Sequence, residues 1–386
     1  MKTVLIAGAG HVGLAAAQAF AKAGWNVHIF DVMDEAGVIA RYSWADCIEL
    51  SAVKALGLPV PQAVGRDVSG ELVKATPDPD STGVFQSRKS SGDLYLIDRG
   101  GLTRWQLEKV KALGVQLHFL SKVNRLDGRL GPRLEDIKVT GFSVLEDGEE
   151  KTYEADLVID ATGIDAVLRR QLLPEAIAAK TDVPQFSSFK SVRRTRGSMT
   201  PGEMHFPFQY MGHCQMEGVR GYTWMSRLSA DVVDLGCCVE VFEPDGGETA
   251  RKIGLEGIAA FPQMAEGTVL AEGAGVMPCG DPPAAFVAGG FAALGDSAVM
   301  TNEGGLGITG GIVTGAHLVE NVSETGNCSI KSLWPVAHRW YTQKETTILR
   351  ARGEESLAKL FESYPATWDA RQFDEWYREF PELKKD

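Results

Sequence analysis

The chain has 386 residues, with 39 Lys and Arg against 51 Asp and Glu, a formal net charge of −12, and 44% hydrophobic and 23% charged residues. Those fractions suit a folded globular protein and exclude a disordered, fibrous or disulfide-framework chain. The acidic surplus argues against a broad face for nucleic-acid phosphates or an anionic bilayer.

The six cysteines (Cys47, Cys214, Cys237, Cys238, Cys279 and Cys328) form no C-x-x-C pair and no Cys/His cluster at zinc spacing. No metal site is therefore expected, and a reducing, cytoplasmic setting is. A patterned sequence from residue 3 leaves no room for a signal peptide, and the longest apolar stretch, 284–294, is too short to span hydrocarbon.

The first thirty residues read as strand, glycine turn, helix and strand. Residues 3–7 are a continuous apolar run, as expected of a parallel strand covered on both faces. The helix stops at Gly24, and the second strand, 26–30, ends in Asp31. Residues 55–90, rich in Pro, Gly, Ser and Asp, read as loops or a small inserted sheet. A strand at 94–97, a helix over 102–113 and a strand at 115–119 resume a βαβ rhythm. Residues 137–145 and 151–159 alternate as an antiparallel pair about the turn at 146–148. From 182 to 271 the chain reads as a separate sheet, with strands at 206–210, 221–225 and 232–241. Adjacent Cys237 and Cys238 on such a strand face opposite ways and cannot line one site. A short strand at 292–294 and a helix over 305–322 follow. The last 54 residues hold ten of the 32 aromatics, among them Trp334, Trp340, Phe361, Tyr364, Trp368, Phe373, Trp376 and Phe380. They read first as a packed helical cap, with a lid over an apolar ligand as the sharper alternative.

Gly8, Gly10 and Gly13 make a dinucleotide fingerprint: a tight turn, a close backbone approach to pyrophosphate, and close packing of helix on strand. The pyrophosphate sits on the helix N-terminus, where N–H groups and the dipole favour it. Asp31, eighteen residues after Gly13, is placed to accept ribose hydroxyls. This much does not choose between NAD and FAD. Near the other end, residues 292–310 read strand, Gly295-Asp296, then a glycine-rich start to a helix. Together the two segments resemble the FAD-binding pattern of the p-hydroxybenzoate hydroxylase superfamily. That resemblance implies that Asp296 holds the ribityl chain and that the backbone at Gly304, Gly305 and Gly307 faces the flavin pyrimidine. A positive helix end there stabilises the anionic reduced flavin.

Further segments narrow the likeness to geranylgeranyl reductase-like flavoproteins. Residues 94–102, with Asp98 and Arg99, are similar to their Y-x-V-D-R-x-x-F segment, in which the arginine lies near the cofactor. Residues 156–163, ending in Thr162 and Gly163, resemble their "ATG" strand end. Residues 44–59, with Cys47, resemble their cysteine-bearing segment, and Tyr222 and Trp224 match the start of their Y-x-W-x-F-P motif. The resemblance runs over residues 1–325. Three departures stand out. Thr162 replaces the second aspartate of single-component hydroxylases. Met225-Ser226-Arg227 replaces the end of the tunnel motif, and an arginine resists burial beside a polyprenyl chain. Glu303 replaces a proline beside the isoalloxazine.

The expected fold is α/β: a discontinuous Rossmann-like FAD-binding domain (1–60, 92–181 and 282–325), an antiparallel-sheet substrate domain (61–91 and 182–281) and a helical C-terminal tail (326–386). The expected function is hydride transfer between flavin N5 and a largely apolar, isoprenoid or lipid-like substrate, the substrate class being what the resemblance implies. Glu303 or Cys47 handles the proton, and Tyr222 and Trp224 wall the pocket. A solvated loop acid and a small buried hydrophobe are the structural alternatives for Glu303 and Cys47. A flavin monooxygenase and a non-catalytic prenyl- or partner-binding protein are the alternatives in function. With no second nucleotide fingerprint, NAD(P)H, ferredoxin and a reductase all stay open as electron donor. His11 is expected only to occupy its turn, and His205, His213 and His317 to be structural.

Overall fold

The structure is a computed structural model and describes residues 1–41, 45–58, 66–67, 72–74, 86–88, 94–172, 185–197, 221–227, 231–241, 246–259, 262–278, 286–301 and 307–348. By its contacts the chain divides into two compact units, 1–41 with 102–183 and 280–386, and 42–101 with 184–279.

In the first unit the apolar run Thr3–Ala7 becomes the middle of a six-stranded sheet. The strand order is Val287–Ala288, Phe291–Ala293, Leu157–Asp160, Thr3–Ala7, Asn26–Phe30 and Gln116–His118. All neighbours are parallel except the first pair. Val4, Leu5, Ile6 and Ala7 are buried to within 1% because both faces of the sheet are covered. Helices His11–Lys22, Gly307–Thr325 and Ile330–Ile348 contribute Leu14, Leu318, Trp334 and Tyr341 to this core. An antiparallel meander of Ser121–Arg129, Lys138–Glu146 and Glu149–Glu154 joins it through Phe142, whose ring meets Phe30 edge-on at 5.1 Å.

The expected strand at 151–159 is in fact two. Glu149–Glu154 closes the meander, and Leu157–Asp160 turns into the parallel sheet beside Thr3–Ala7. Trp334, Trp340 and Tyr341 are buried, as a packed cap requires, while the aromatics beyond 348 lie outside the described residues.

The second unit carries an antiparallel sheet in the order Gly221–Arg227, Val232–Val241, Gln185–Arg194 and Thr268–Pro278. Helix Gly246–Ala259 packs on it over Phe189, Val233, Leu235, Cys237 and Val239. Cys237 gives its thiol hydrogen to Ala250 O (2.9 Å). Strand Leu94–Asp98 runs antiparallel to Ala45–Glu49 in a small sheet of this unit, so the βαβ reading of 94–97 is wrong. The strand expected at 206–210 falls outside the described residues.

At the edge of the parallel sheet, His28 Nε2 lies 3.1 Å from Asn26 Nδ2 and 3.2 Å from Gln116 Nε2. Both neighbours are amide donors, which assigns the proton of His28 to Nδ1, donating to His118 Nε2 at 3.1 Å. Glu146 Oε1 stands 3.5 Å from His118 Nδ1. Burial, with His118 beside it, holds His28 below the ordinary imidazole value of 6.5. Burial also lowers His118, against the opposing pull of Glu146. Groups lowered on folding stabilise the native state fully above their unfolded value and cease to do so as pH falls through the folded one. The melting temperature should therefore be nearly flat above pH 7 and decline below about 6.5. Replacing His118→Asn should make that decline shallower, whatever it does to the plateau; an unchanged slope in thermal melts between pH 7 and 5 would remove the pair as its cause.

Candidate functional site

The first strand ends at Ala7, and Gly8 turns with φ +100°, a region that side chains resist. A Cβ at Gly8 would stand 2.3 Å from Ala161 O, and one at Gly13 would stand 1.9 Å from Gly8 O. Helix His11–Lys22 begins at Gly10 with no side-chain cap. His11 is buried, and Gln106 bridges it, accepting from Nδ1 at 3.0 Å and donating to its carbonyl at 2.9 Å, so it does hold the turn. The turn abuts Ala161 where the chain, having built the sheet outward to Gln116–His118, returns to the opposite side of Thr3–Ala7. That is the switch point at which open α/β sheets bind ligands.

Asp31 follows the second strand and is 5% exposed. Its Oδ2 accepts from Ala9 N at 2.8 Å and its Oδ1 from Met33 N at 2.9 Å, which fixes the carboxylate beside the glycine turn. Each oxygen keeps lone-pair capacity for a hydroxyl.

The second glycine turn follows Phe291–Ala293 at the same, carboxyl end of the sheet. Gly295–Ala298 is a single 3-10 turn, and after residues 302–306, which lie outside the described residues, Gly307 opens the 19-residue helix to Thr325. A Cβ at Gly307 would stand 2.7 Å from Asp296 Oδ1 and 3.3 Å from Thr301 Oγ1. The two turns meet over Val12. Its Cγ2 would lie 3.1 Å from a Cβ at Gly295 and 2.5 Å from one at Gly311.

A residue not singled out from sequence ties the 160–169 loop to the second glycine turn. Asp160 is fully buried and accepts from Thr162 N (3.0 Å) and Oγ1 (2.6 Å), Leu168 N (2.9 Å), Arg169 N (2.7 Å) and Ser297 Oγ (3.2 Å). Arg169 Nε reaches back to Ser297 O. Burial lowers the Arg169 guanidinium to about 10, opposed by Asp160, and it stays charged at neutral pH. The available signal was an aspartate closing an otherwise apolar strand, a position that demands a partner.

In the second unit, Arg99 opens helix Arg99–Ala112 and bonds Asp46 Oδ2 at 3.1 Å, while Lys190 Nζ stands 3.5 Å from Asp46 Oδ1. Cys47 lies in strand Ala45–Glu49 opposite Leu96. Tyr222 and Trp224 lie in strand Gly221–Arg227 opposite Cys238 and Gly236. The side chains of Cys47, Tyr222 and Trp224, and all of Glu303, Gly304 and Gly305, lie outside the described residues. Gly8, Gly10, Gly13, Asp31, Asp296 and Gly307 are thus gathered in one unit, and Cys47, Arg99, Tyr222 and Trp224 in the other.

No protein-family model matches the chain. It is 28% identical over 179 residues to kynurenine 3-monooxygenase of Debaryomyces hansenii, across 43% of its own length and 37% of that enzyme's. It is 23% identical to digeranylgeranylglycerophospholipid reductase 1 of Methanopyrus kandleri, across 90% of its own length and 88% of the relative's. A geranylgeranyl bacteriochlorophyll reductase-like protein of Thermoplasma acidophilum shares the fold with a TM-score of 0.68 at 16% identity, covering 91% of this chain and 86% of that one. The chain is thus similar to geranylgeranyl reductase-like FAD-dependent oxidoreductases. The α/β fold is of the p-hydroxybenzoate hydroxylase type. CtdE, solved in complex with FAD, matches it at a TM-score of 0.62 and 18% identity over 99% of this chain and 98% of its own. No described helix is long and apolar enough to cross a membrane.

The residues present fit FAD: a turn closed to side chains beside an uncapped helix start, a fixed carboxylate at the second strand, and a second carboxylate against a glycine that opens another helix. If that cradle depends on Val12 fitting between two glycines, Gly311→Ala should overpack it and cost about 1–3 kcal/mol of stability. Denaturant unfolding measures this; a neutral effect would mean that Val12 moves aside freely.

Proposed function

We propose that the chain is an FAD-dependent reductase or dehydrogenase acting on a largely apolar, isoprenoid or lipid-like substrate by C=C reduction or its reverse. What carries the reading is the meeting of the two glycine turns over Val12 at the carboxyl end of one sheet. The similarity to digeranylgeranylglycerophospholipid reductase supports the substrate class. In this reading residues 1–60, 92–181 and 282–325 serve the cofactor, and 61–91 and 182–281 the substrate.

Bound FAD supplies hydride chemistry at N5. Gly8, Gly10 and Gly13 admit its pyrophosphate to the start of helix His11–Lys22, and Asp31 accepts the ribose hydroxyls. Asp296 would accept from the ribityl chain, and Gly304, Gly305 and Gly307 are the residues that would face the pyrimidine, where a positive helix end favours the reduced flavin. Arg99, paired with Asp46, is the cation that the resemblance assigns to the cofactor. Tyr222 and Trp224 offer apolar area to the substrate. Glu303 or Cys47 would handle the proton that accompanies C=C reduction or its reverse.

Asp296→Ala should weaken FAD binding by tenfold or more, since it removes a hydrogen bond to a charged acceptor. The visible spectrum of the purified protein reads this, and wild-type flavin occupancy would sink the assignment. Glu303→Gln should leave occupancy unchanged and slow single-turnover reduction by about 10²–10⁴-fold; unaltered rapid kinetics would take Glu303 out of the mechanism.

Similarity to kynurenine 3-monooxygenase favours a second reading, flavin-dependent oxygenation. Anaerobic conversion of substrate by the dithionite-reduced enzyme separates them, because a reductase completes it and an oxygenase does not.

A further inference from the structure

His118 ends the edge strand of the parallel sheet, Gln116–His118, and its carbonyl accepts from Asp31 N at 2.9 Å. Ser121 N donates to Asp31 O at 2.8 Å, and Leu120 N to Met33 O at 3.1 Å. The backbone of Asp31 is thus held on both sides by the turn 118–121. That turn is under tension, since Leu120 sits at φ +56°, a left-handed conformation that side chains resist. It is anchored by the His118 ring, which stacks on Phe30 at 4.3 Å and on His28 at 5.4 Å, and by Ser121 Oγ, which donates to Glu146 Oε1 at 3.1 Å.

The two imidazoles have no place for another proton. With His28 Nδ1–H donating to His118 Nε2, the His118 proton lies on Nδ1, toward Glu146 Oε1. A proton added to His28 Nε2 would face the amide hydrogens of Asn26 and Gln116, and one added to His118 Nε2 would face His28 Nδ1–H. Gln116 Nε2 also donates to Asn26 Oδ1 at 3.2 Å, so neither amide can turn over alone. The other titratable groups that face the pair are Glu146 on strand Lys138–Glu146, and Lys151 and Tyr153 on strand Glu149–Glu154. One carboxylate, already shared with Lys151, does not balance two imidazolium rings in contact.

We propose that the His28–His118 pair is a pH-dependent catch on the dinucleotide site: protonation parts the edge strand from its neighbour and loosens the Asp31 carboxylate that takes the ribose hydroxyls. The strand that gives is three residues long and lies at the sheet edge. The inference rests on the assignment of FAD to the glycine turns and Asp31, and adds what governs its grip. The sign follows from the neutral pair being the form that holds Asp31. Burial keeps both rings below the ordinary imidazole value of 6.5, and parting the strands restores that value. Affinity is therefore constant above about pH 7 and falls as pH drops below about 6.5. By reciprocity, FAD expels protons when it binds in that lower window.

The full-length protein freed of flavin, titrated with FAD and followed by quenching of flavin fluorescence, should bind about tenfold more weakly at pH 5.5 than at pH 8, an ordinary size for coupling between sites. His118→Gln, whose amide oxygen can accept from His28 but takes no proton, should bind within about twofold of wild type at pH 8 and lose most of the difference. A wild-type affinity equal at both pH values would overturn the proposal, and so would a difference that survives in His118→Gln. A second measurement needs no variant. In flavin-free wild type the amide resonance of Asp31 should shift with the same midpoint as the ring resonances of His28 and His118; an Asp31 amide that stays still while the rings titrate would overturn the catch. The underlying FAD assignment fails separately, if wild type takes up no FAD at pH 8 or if Asp31→Ala binds it unchanged there.

Discussion

Val12 has room because two glycines, Gly295 and Gly311, leave it room. That steric fact brings the start of the chain against a segment nearly three hundred positions later, and the rest of the candidate site depends on it. Where helices pack with this little clearance, even one methyl group has nowhere to go, since protein interiors are filled to crystal-like density. The same economy recurs at Gly8, Gly13 and Gly307, each backed by a carbonyl or carboxylate oxygen closer than a side chain could tolerate. Glycine at these positions shapes a surface made of backbone, which suits a ligand recognised by N–H groups.

Around this contact the polar groups are held rather than left to find their own positions. Asp31 is bonded through both oxygens to backbone N–H groups, and Asp160 collects five donors from three segments. The two aspartates do different work. Asp160 is fully buried and spends its capacity inside the protein, tying the 160–169 loop to Ser297. Asp31 sits at the open end of a strand with acceptor capacity to spare.

Much of the first unit was legible because its signals are local. Residues 3–31 carry strand, turn, helix and strand with little interruption, and the glycine spacing has a steric meaning that survives into the structure. The second glycine turn was legible for the same reason, being a strand end, a Gly-Asp and a helix start in one short run. What could not be read was pairing across distance. Residues 151–159 alternate smoothly, yet the chain changes sheets at 155–156, where Ala155 N bonds Thr140 O and Asp156 N bonds Thr3 O. Strand 94–98 has the apolar look of a βαβ strand but finds its partner in 45–49. Strands Gln185–Arg194 and Thr268–Pro278 went unseen because Ser, Lys, Arg and Gly dilute their β-signal, and a register of ten cross-strand pairs makes up for weak local preference. Asp160 shows the same limit at a single residue, for its donors are assembled only by the fold.

The carboxylate of Asp31, proposed above to take the ribose hydroxyls, is already gripped by Ala9 and Met33. A binder whose recognition group must first be immobilised loses rotamer freedom on association, and affinity suffers accordingly. Here that ordering is completed during chain folding. On the proposed reading, a dinucleotide reaching this end would meet a carboxylate that needs little rearrangement.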